Sequence, residues 1–142
     1  MKKTKIRAVL ENLDEMIDFI IADLNSCVSD KKLVNLIRLS CEEVLVNIIS
    51  YAYPDSEGDV EIIQEIPGDN GEIFIRFIDD GFPYNPLLND EPDMDASIEN
   101  RKIGGLGVYL YKTIMDSVIY ERKEGKNILT FIKEIKKDEE GK

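Results

Sequence analysis

Residues 42–53 read EEVLVNIISYAY, and Pro54 follows directly. Proline lacks a backbone donor and disfavours helical geometry in the residue before it, so the run reads as the end of a helix. Working back from that stop, the apolar spacing predicts one long helix over 31–53. Val44, Leu45, Val46, Ile48 and Ile49 cover nearly every side of its last turns, which predicts a buried helix. Glu43 and Asn47 break that pattern on one face, four residues apart, with Ser40 and Ser50 extending the polar stripe. An unpartnered buried amide costs about 1–3 kcal/mol. Asn47 therefore requires a neighbouring carbonyl or side chain, or a cavity holding a polar ligand or metal.

Downstream of the proline, 55–58 form a turn, 60–66 a strand, 67–71 a second turn and 72–79 the next strand. That strand ends on Asp79-Asp80-Gly81. Ile73, Ile75 and Phe77 share the parity of Asp79, whereas Arg76 and Asp80 share the other. Arg76 marks the wetter face, so Asp79 points inward, where a carboxylate needs a specific donor. Residues 81–101 show no clean period and predict a long loop with at most a single helical turn. Between 89 and 100 it carries Asp90, Glu91, Asp93, Asp95 and Glu99 and no basic residue. Loops of that length in compact domains are commonly lids or binding loops.

Arg101 and Lys102 then precede Gly104-Gly105-Leu106-Gly107, which opens a helix running to about residue 115. Taken alone the cluster reads first as a turn or helix cap; the alternative is that Gly105 and Gly107 at a helix start let the backbone approach an anion, where free N–H groups and the helix dipole favour phosphate. No Gly-Lys-Ser/Thr follows, so this is not a Walker loop. It follows a loop instead of a strand, so it is not a dinucleotide fingerprint. Strands over 117–122 and 128–135 flank a turn at 124–127, and 136–142 form a frayed polar tail. Upstream, 4–10 predict a first strand. A helix opening at 12–14 follows, with Leu13, Ile17, Ile20, Ile21 and Leu24 at helical spacing, and 26–30 break it.

The composition narrows the function. The chain has 142 residues, 43% hydrophobic and 33% charged, which fits one globular domain over 1–142 and excludes a disordered chain. With 18 basic and 29 acidic residues the net charge is −11, a field that repels nucleic acid and anionic lipid. No apolar stretch reaches the roughly 20 residues of a membrane span, and no charged-then-apolar leader opens the chain. A soluble, cytoplasmic protein is expected. The absence of His removes Ser-His-Asp hydrolysis, zinc–histidine sites and phosphohistidine formation on this chain. Cys27 and Cys41 match no metal spacing and read as buried free thiols. The element order β-α-α-β-β-loop-α-β-β predicts an α+β two-layer sandwich, helices on one face of a mixed, mainly antiparallel sheet.

In this order, EEVLVNIISYAY, DDGFPYNPL and RKIGGLGVYLYKTIMDSV resemble the motif set of the GHKL (Bergerat-fold) ATPases, and among them the anti-sigma-factor serine/threonine kinases. The resemblance covers nearly the whole chain and implies ATP and Mg²⁺ as cofactors. It implies that Asn47 holds Mg²⁺ at the phosphates and that Glu43 is the base for a partner's serine hydroxyl. Asp79 would bond the adenine amino group, with Gly81 allowing close approach of the base. Gly104, Gly105, Leu106 and Gly107 would line the phosphates, and Arg101 or Lys102 would reach the terminal one. The Gly-Thr-Thr pattern that supports the adenine-binding Asp in that family is replaced by Gly125-Lys126-Asn127, which leaves Asn127 or Thr130 to serve. Implied partners are an anti-sigma-factor antagonist of the STAS type, a sigma factor, or both, with a second copy completing a homodimer. A nucleotide-sensing module that sequesters its partner without phosphoryl transfer is the alternative. A histidine-kinase catalytic domain fits less well, because the chain has neither His nor dimerisation helices.

Overall fold

The computed structural model describes residues 1–67, 71–88 and 105–135. In chain order these form β1 (Lys2–Arg7), α1 (Leu13–Cys27), α2 (Lys31–Tyr51), β2 (Asp59–Glu65), β3 (Glu72–Asp79), α3 (Gly105–Ile114), β4 (Ser117–Lys123) and β5 (Lys126–Glu134). Short 3₁₀ turns occupy Leu10–Asn12 and Pro86–Leu88. The sheet order is β1-β2-β3-β5-β4. Each neighbouring pair is antiparallel, so among the described residues the sheet is antiparallel throughout. The α+β sandwich is the one the sequence predicts.

Alternation builds the two faces. In β2 and β3 every second residue is buried, and Ile73, Ile75, Phe77 and Asp79 share the covered face as their parity predicts. The core joins these to Met16, Ile20 and Leu24 of α1, Ile37, Cys41, Val44, Leu45 and Ile48 of α2, and Val108 and Tyr111 of α3. Asp30 caps α2, accepting from the Lys32 and Leu33 N–H groups at 3.0 and 3.2 Å.

Several boundaries move, each for a physical reason. β1 spans Lys2–Arg7 instead of 4–10, because its partner begins at Asp59, opposite Arg7. Leu10, 63% exposed, turns into the 3₁₀ segment. α2 stops at Tyr51, not Tyr53: Ala52 caps it, and Tyr53, preceding Pro54, leaves helical geometry. The end of α2 is buried on one side only. Val46 and Tyr51 are 37% and 48% exposed, and Ser50 is exposed as well. The β4–β5 turn is two residues, Glu124 and Gly125, both at positive φ (53° and 79°), not the four of 124–127. The tighter turn places Asn127 inside β5. Cys41 is a buried free thiol as expected, but Cys27 is half-buried and its Sγ lies 3.3 Å from the Ile66 carbonyl.

The lid over 89–100 lies outside the described residues, as do Arg101, Lys102, Gly104 and the 136–142 tail.

Candidate functional site

Between α2, the end of β3 and the start of β5 lies a cleft of about 460 Å³, counted to its open mouth. Its walls are largely aromatic and aliphatic, including Val44, Ile48, Phe77, Phe82, Tyr84 and Leu129, with Asn47, Asp79 and Asn127 as convergent polar groups.

Asp79 is 5% exposed. Its Oδ1 accepts from the Gly81 N–H and from Asn127 Nδ2, each at 2.9 Å. Its Oδ2 makes no hydrogen bond among the described residues. Burial pushes the carboxyl above its ordinary value, against the pull of the Asn127 amide, the Gly81 N–H and the Arg122 guanidinium; Asp80 adds to the rise. The donor set thus orients a carboxylate whose second oxygen is available to a ligand's N–H.

Asn127 fills the place left open in the sequence. It stands directly opposite Asp79 in the β3–β5 register. Thr130 lies on the other sheet face, where its hydroxyl accepts from Arg76 Nε at 2.9 Å. Asn127 Nδ2 also donates to the Phe82 carbonyl at 2.9 Å, and Oδ1 accepts from the Tyr84 N–H and the Tyr120 hydroxyl.

Gly81 is required by the protein itself. A Cβ there would fall 2.3 Å from the Ala52 carbonyl oxygen, at the point where the Phe82 N–H bonds that same oxygen at 2.7 Å. The strand end is thereby clamped to the end of α2. Tyr53 reinforces the clamp, donating to the Asp59 carbonyl at 2.6 Å and accepting from the Asp80 N–H at 2.9 Å.

On α2, Asn47 Nδ2 donates to Glu43 Oε2 at 3.1 Å, which answers the demand for a partner. Asn47 Oδ1 makes no hydrogen bond among the described residues and is the kind of hard oxygen a divalent cation takes. Glu43 is not part of the cleft wall among the described residues; it packs against α3. A Cβ on Gly107 would sit 2.1–2.2 Å from the Glu43 side chain, so this glycine admits the carboxylate between the helices. Burial raises the Glu43 pKa and the Asn47 bond lowers it in part. Among the described residues no three His, Cys, Asp or Glu side chains gather as a metal cluster. A Mg²⁺ bound mainly through phosphates and water needs only one or two protein oxygens, so the Asn47 site fits it.

The structure therefore brings Asn47, Asp79 and Gly81 to one cleft, with Glu43 and Gly107 beside it. It also shows a group not anticipated from the sequence. Tyr111, fully buried on α3, is among the residues that line the cleft, and its enclosed hydroxyl has no hydrogen bond among the described residues. The available signal was a phenol within the apolar stripe Val108, Tyr111, Met115.

The fold is a helix-over-antiparallel-sheet sandwich of the α+β class, with a carboxylate at a strand end and an Asn on the facing helix opening on one cleft. The chain belongs to that class by sequence as well, to the family of the histidine kinase-like ATPase domain, which it matches over residues 6–133. Among curated proteins it is similar to the serine-protein kinase RsbW of Bacillus cereus (strain AH187), 29% identical over 94 residues. The RsbW proteins of Bacillus thuringiensis subsp. konkukian (strain 97-27) and Bacillus anthracis (strain CDC 684 / NRRL 3495) match at 29% and 28% over the same length. Each match covers 65% of this chain and 59% of the relative. No helix among the described residues is long and apolar enough to cross a membrane.

Proposed function

We propose that the cleft binds ATP with Mg²⁺ and that the protein transfers the terminal phosphoryl group to a serine or threonine hydroxyl of a partner protein. The observation that carries the reading is Asp79: a buried carboxylate with one oxygen held by Asn127 and Gly81 and the other available to the exocyclic amine of adenine. The aromatic walls suit a flat heterocycle. Gly81 keeps the strand end close to α2, and the backbone of 104–107, Gly104, Gly105, Leu106 and Gly107, approaches the phosphates, with Arg101 or Lys102 at the terminal one. Asn47 Oδ1 would hold Mg²⁺, which neutralises charge on the phosphates when bound.

Glu43 is the base in this reading. As the hydroxyl oxygen forms its bond to the terminal phosphorus, the bond to the bridging oxygen breaks, ADP leaves, and the hydroxyl proton passes to Glu43. Partial burial suits the role, because a raised pKa makes the carboxylate a better proton acceptor. The names of the relatives, serine-protein kinases, support the same reaction class. The partner is an anti-sigma-factor antagonist of the STAS type, with a sigma factor as a second partner, and the protein acts as a homodimer.

The test is incubation with Mg-ATP and a candidate antagonist domain, followed by mass spectrometry for phosphoserine. Stoichiometric phosphoserine is expected. ATP and partner binding without phosphoserine would instead establish a sequestering switch.

A further inference from the structure

Tyr111 is fully buried on the inner face of α3, its ring tilted against Phe131 with centroids 5.0 Å apart. Its hydroxyl is enclosed, yet makes no hydrogen bond among the described residues. Burying an unpaired hydroxyl is unfavourable, and phenylalanine would fill the same volume without that cost. Packing alone thus does not call for the oxygen. The ring lines the same cleft as Asn47, Asp79 and Tyr84, and Glu43 lies close enough to oppose ionisation of the phenol. Burial acts in the same direction and more strongly, so the hydroxyl stays protonated and is a donor throughout the physiological range.

We propose that Tyr111 is a ligand-binding residue of the cleft, its hydroxyl donating a hydrogen bond to an acceptor atom of the bound adenine nucleotide. The inference rests on the nucleotide reading of the cleft. It adds to that reading a contact from α3, so that α2, the end of β3 and α3 each present one polar group to the ligand: Asn47, Asp79 and Tyr111. A site that includes a buried donor discriminates against ligands lacking the matching acceptor, since those leave the donor unpaired.

The experiment compares the full chain with its Tyr111→Phe variant by calorimetry with ADP and with adenosine, and by thermal melting without nucleotide. The expected result is an ADP dissociation constant raised about 5–20-fold, the worth of one buried hydrogen bond to a ligand. The melting temperature without nucleotide should stay level or rise, because an unpaired hydroxyl has been removed. A parallel loss on adenosine places the acceptor on the nucleoside; a loss confined to ADP places it on the phosphates. Equal ADP affinity in the two proteins overturns the proposal. So does a variant that melts lower or fails to fold while nucleotide affinity is unaffected or unmeasurable, since the hydroxyl then has a structural partner. If the unmodified protein binds neither compound, the nucleotide reading fails, and this one with it; that control separates the two failures.

Discussion

Asn127 and Asp79 face each other across the β3–β5 ladder, and the amide Nδ2 donates to the carboxylate Oδ1 at 2.9 Å. The same amide holds the Phe82 carbonyl, the Tyr84 N–H and the Tyr120 hydroxyl. One side chain therefore orients the carboxylate and fixes three aromatic residues of the cleft wall, Phe82, Tyr84 and Tyr120. Ionisation of Asp79 and the shape of the cleft are coupled through it.

Replacing Asp79 with Asn should cripple binding of ADP, because the adenine amine would meet an amide that offers at most one oxygen. Asp80→Asn should leave binding intact, since the Asp80 carboxylate is exposed and, among the described residues, bonded to Lys126 at 2.7 Å, while its backbone N–H on Tyr53 is untouched by the substitution. Asn127→Ala should weaken binding and destabilise the fold by about 1–3 kcal/mol, the cost of stripping a buried carboxylate of a donor. Calorimetry and urea titration measure both. Equal nucleotide affinity in Asp79→Asn and Asp80→Asn would end the adenine assignment.

Much of this was legible in the sequence. The period-2 pattern of 72–79 put Asp79 on the covered face, and the i, i+4 spacing joined Glu43 to Asn47. The identity of the supporting residue was not, because it depends on register. A turn of two residues or of four assigns Asn127 to opposite environments, and Glu124 at positive φ is an unusual choice that composition does not announce. The sequence alone points Gly81 and Gly107 to a ligand. Their first duty is tertiary, against Ala52 and Glu43, contacts that only the packed helices create.

The two glycines should respond differently to alanine. At Gly81 the new Cβ meets the Ala52 backbone, which cannot yield without opening the strand–helix clamp, so Gly81→Ala should cost about 1–3 kcal/mol. At Gly107 the nearest atoms are Cγ, Cδ and Oε1 of Glu43, a flexible side chain that can swing away. Helix propensity favours alanine there by up to about 1 kcal/mol. Gly107→Ala should thus keep its stability and lose phosphoryl transfer. Chemical denaturation alongside the phosphoserine assay separates the cases; a strongly destabilised Gly107→Ala would contradict the mobility of Glu43.

Stability should depend on the Glu43 carboxyl in a defined direction. Its pKa is raised in the folded state, so between the ordinary carboxylate value and the raised one the native protein binds more protons than the unfolded chain. Its contribution is therefore best below the unfolded pKa and declines as pH rises through the folded one. Glu43→Gln should be more stable than the unmodified protein at pH 7, and the gap should close in acid near pH 4. Urea midpoints at the two values test this; a gap that widens in acid would reverse the sign.

The sheet face away from the helices offers a surface for self-association. Ile63, Phe74, Ile78, Ile128 and Ile132 lie there half-buried, and Ile119 is 45% exposed. A symmetric partner laid across this face would cover the patch. Sedimentation should report twice the 16.2 kDa chain mass, and Ile119→Glu should shift the protein towards monomer. A monomeric mass at high concentration would exclude the dimer.

Glu43 and Asn47 should separate chemistry from binding even though they are hydrogen-bonded to each other. On the proposed reading Asn47 Oδ1 would serve the metal and so affect nucleotide affinity and transfer together. Glu43, on the proposed reading, would take the hydroxyl proton and touch neither metal nor nucleotide; among the described residues it lies beside the cleft instead of in its wall. Glu43→Ala should hold nucleotide affinity within a few-fold and cut phosphorylation by about 10²–10⁴, the usual worth of a positioned base. Its loss also frees the Asn47 Nδ2, whose partner is then water, so a modest affinity change is expected. Asn47→Ala should lose the magnesium-dependent part of binding, measured as the difference between ADP titrations with and without the cation. Partner binding should persist in Glu43→Ala, since phosphoryl transfer and docking draw on different groups. If Glu43→Ala phosphorylates the partner at the unmodified rate, the base lies elsewhere. A variant that loses nucleotide and activity in equal measure would make Glu43 a support for Asn47 and nothing more.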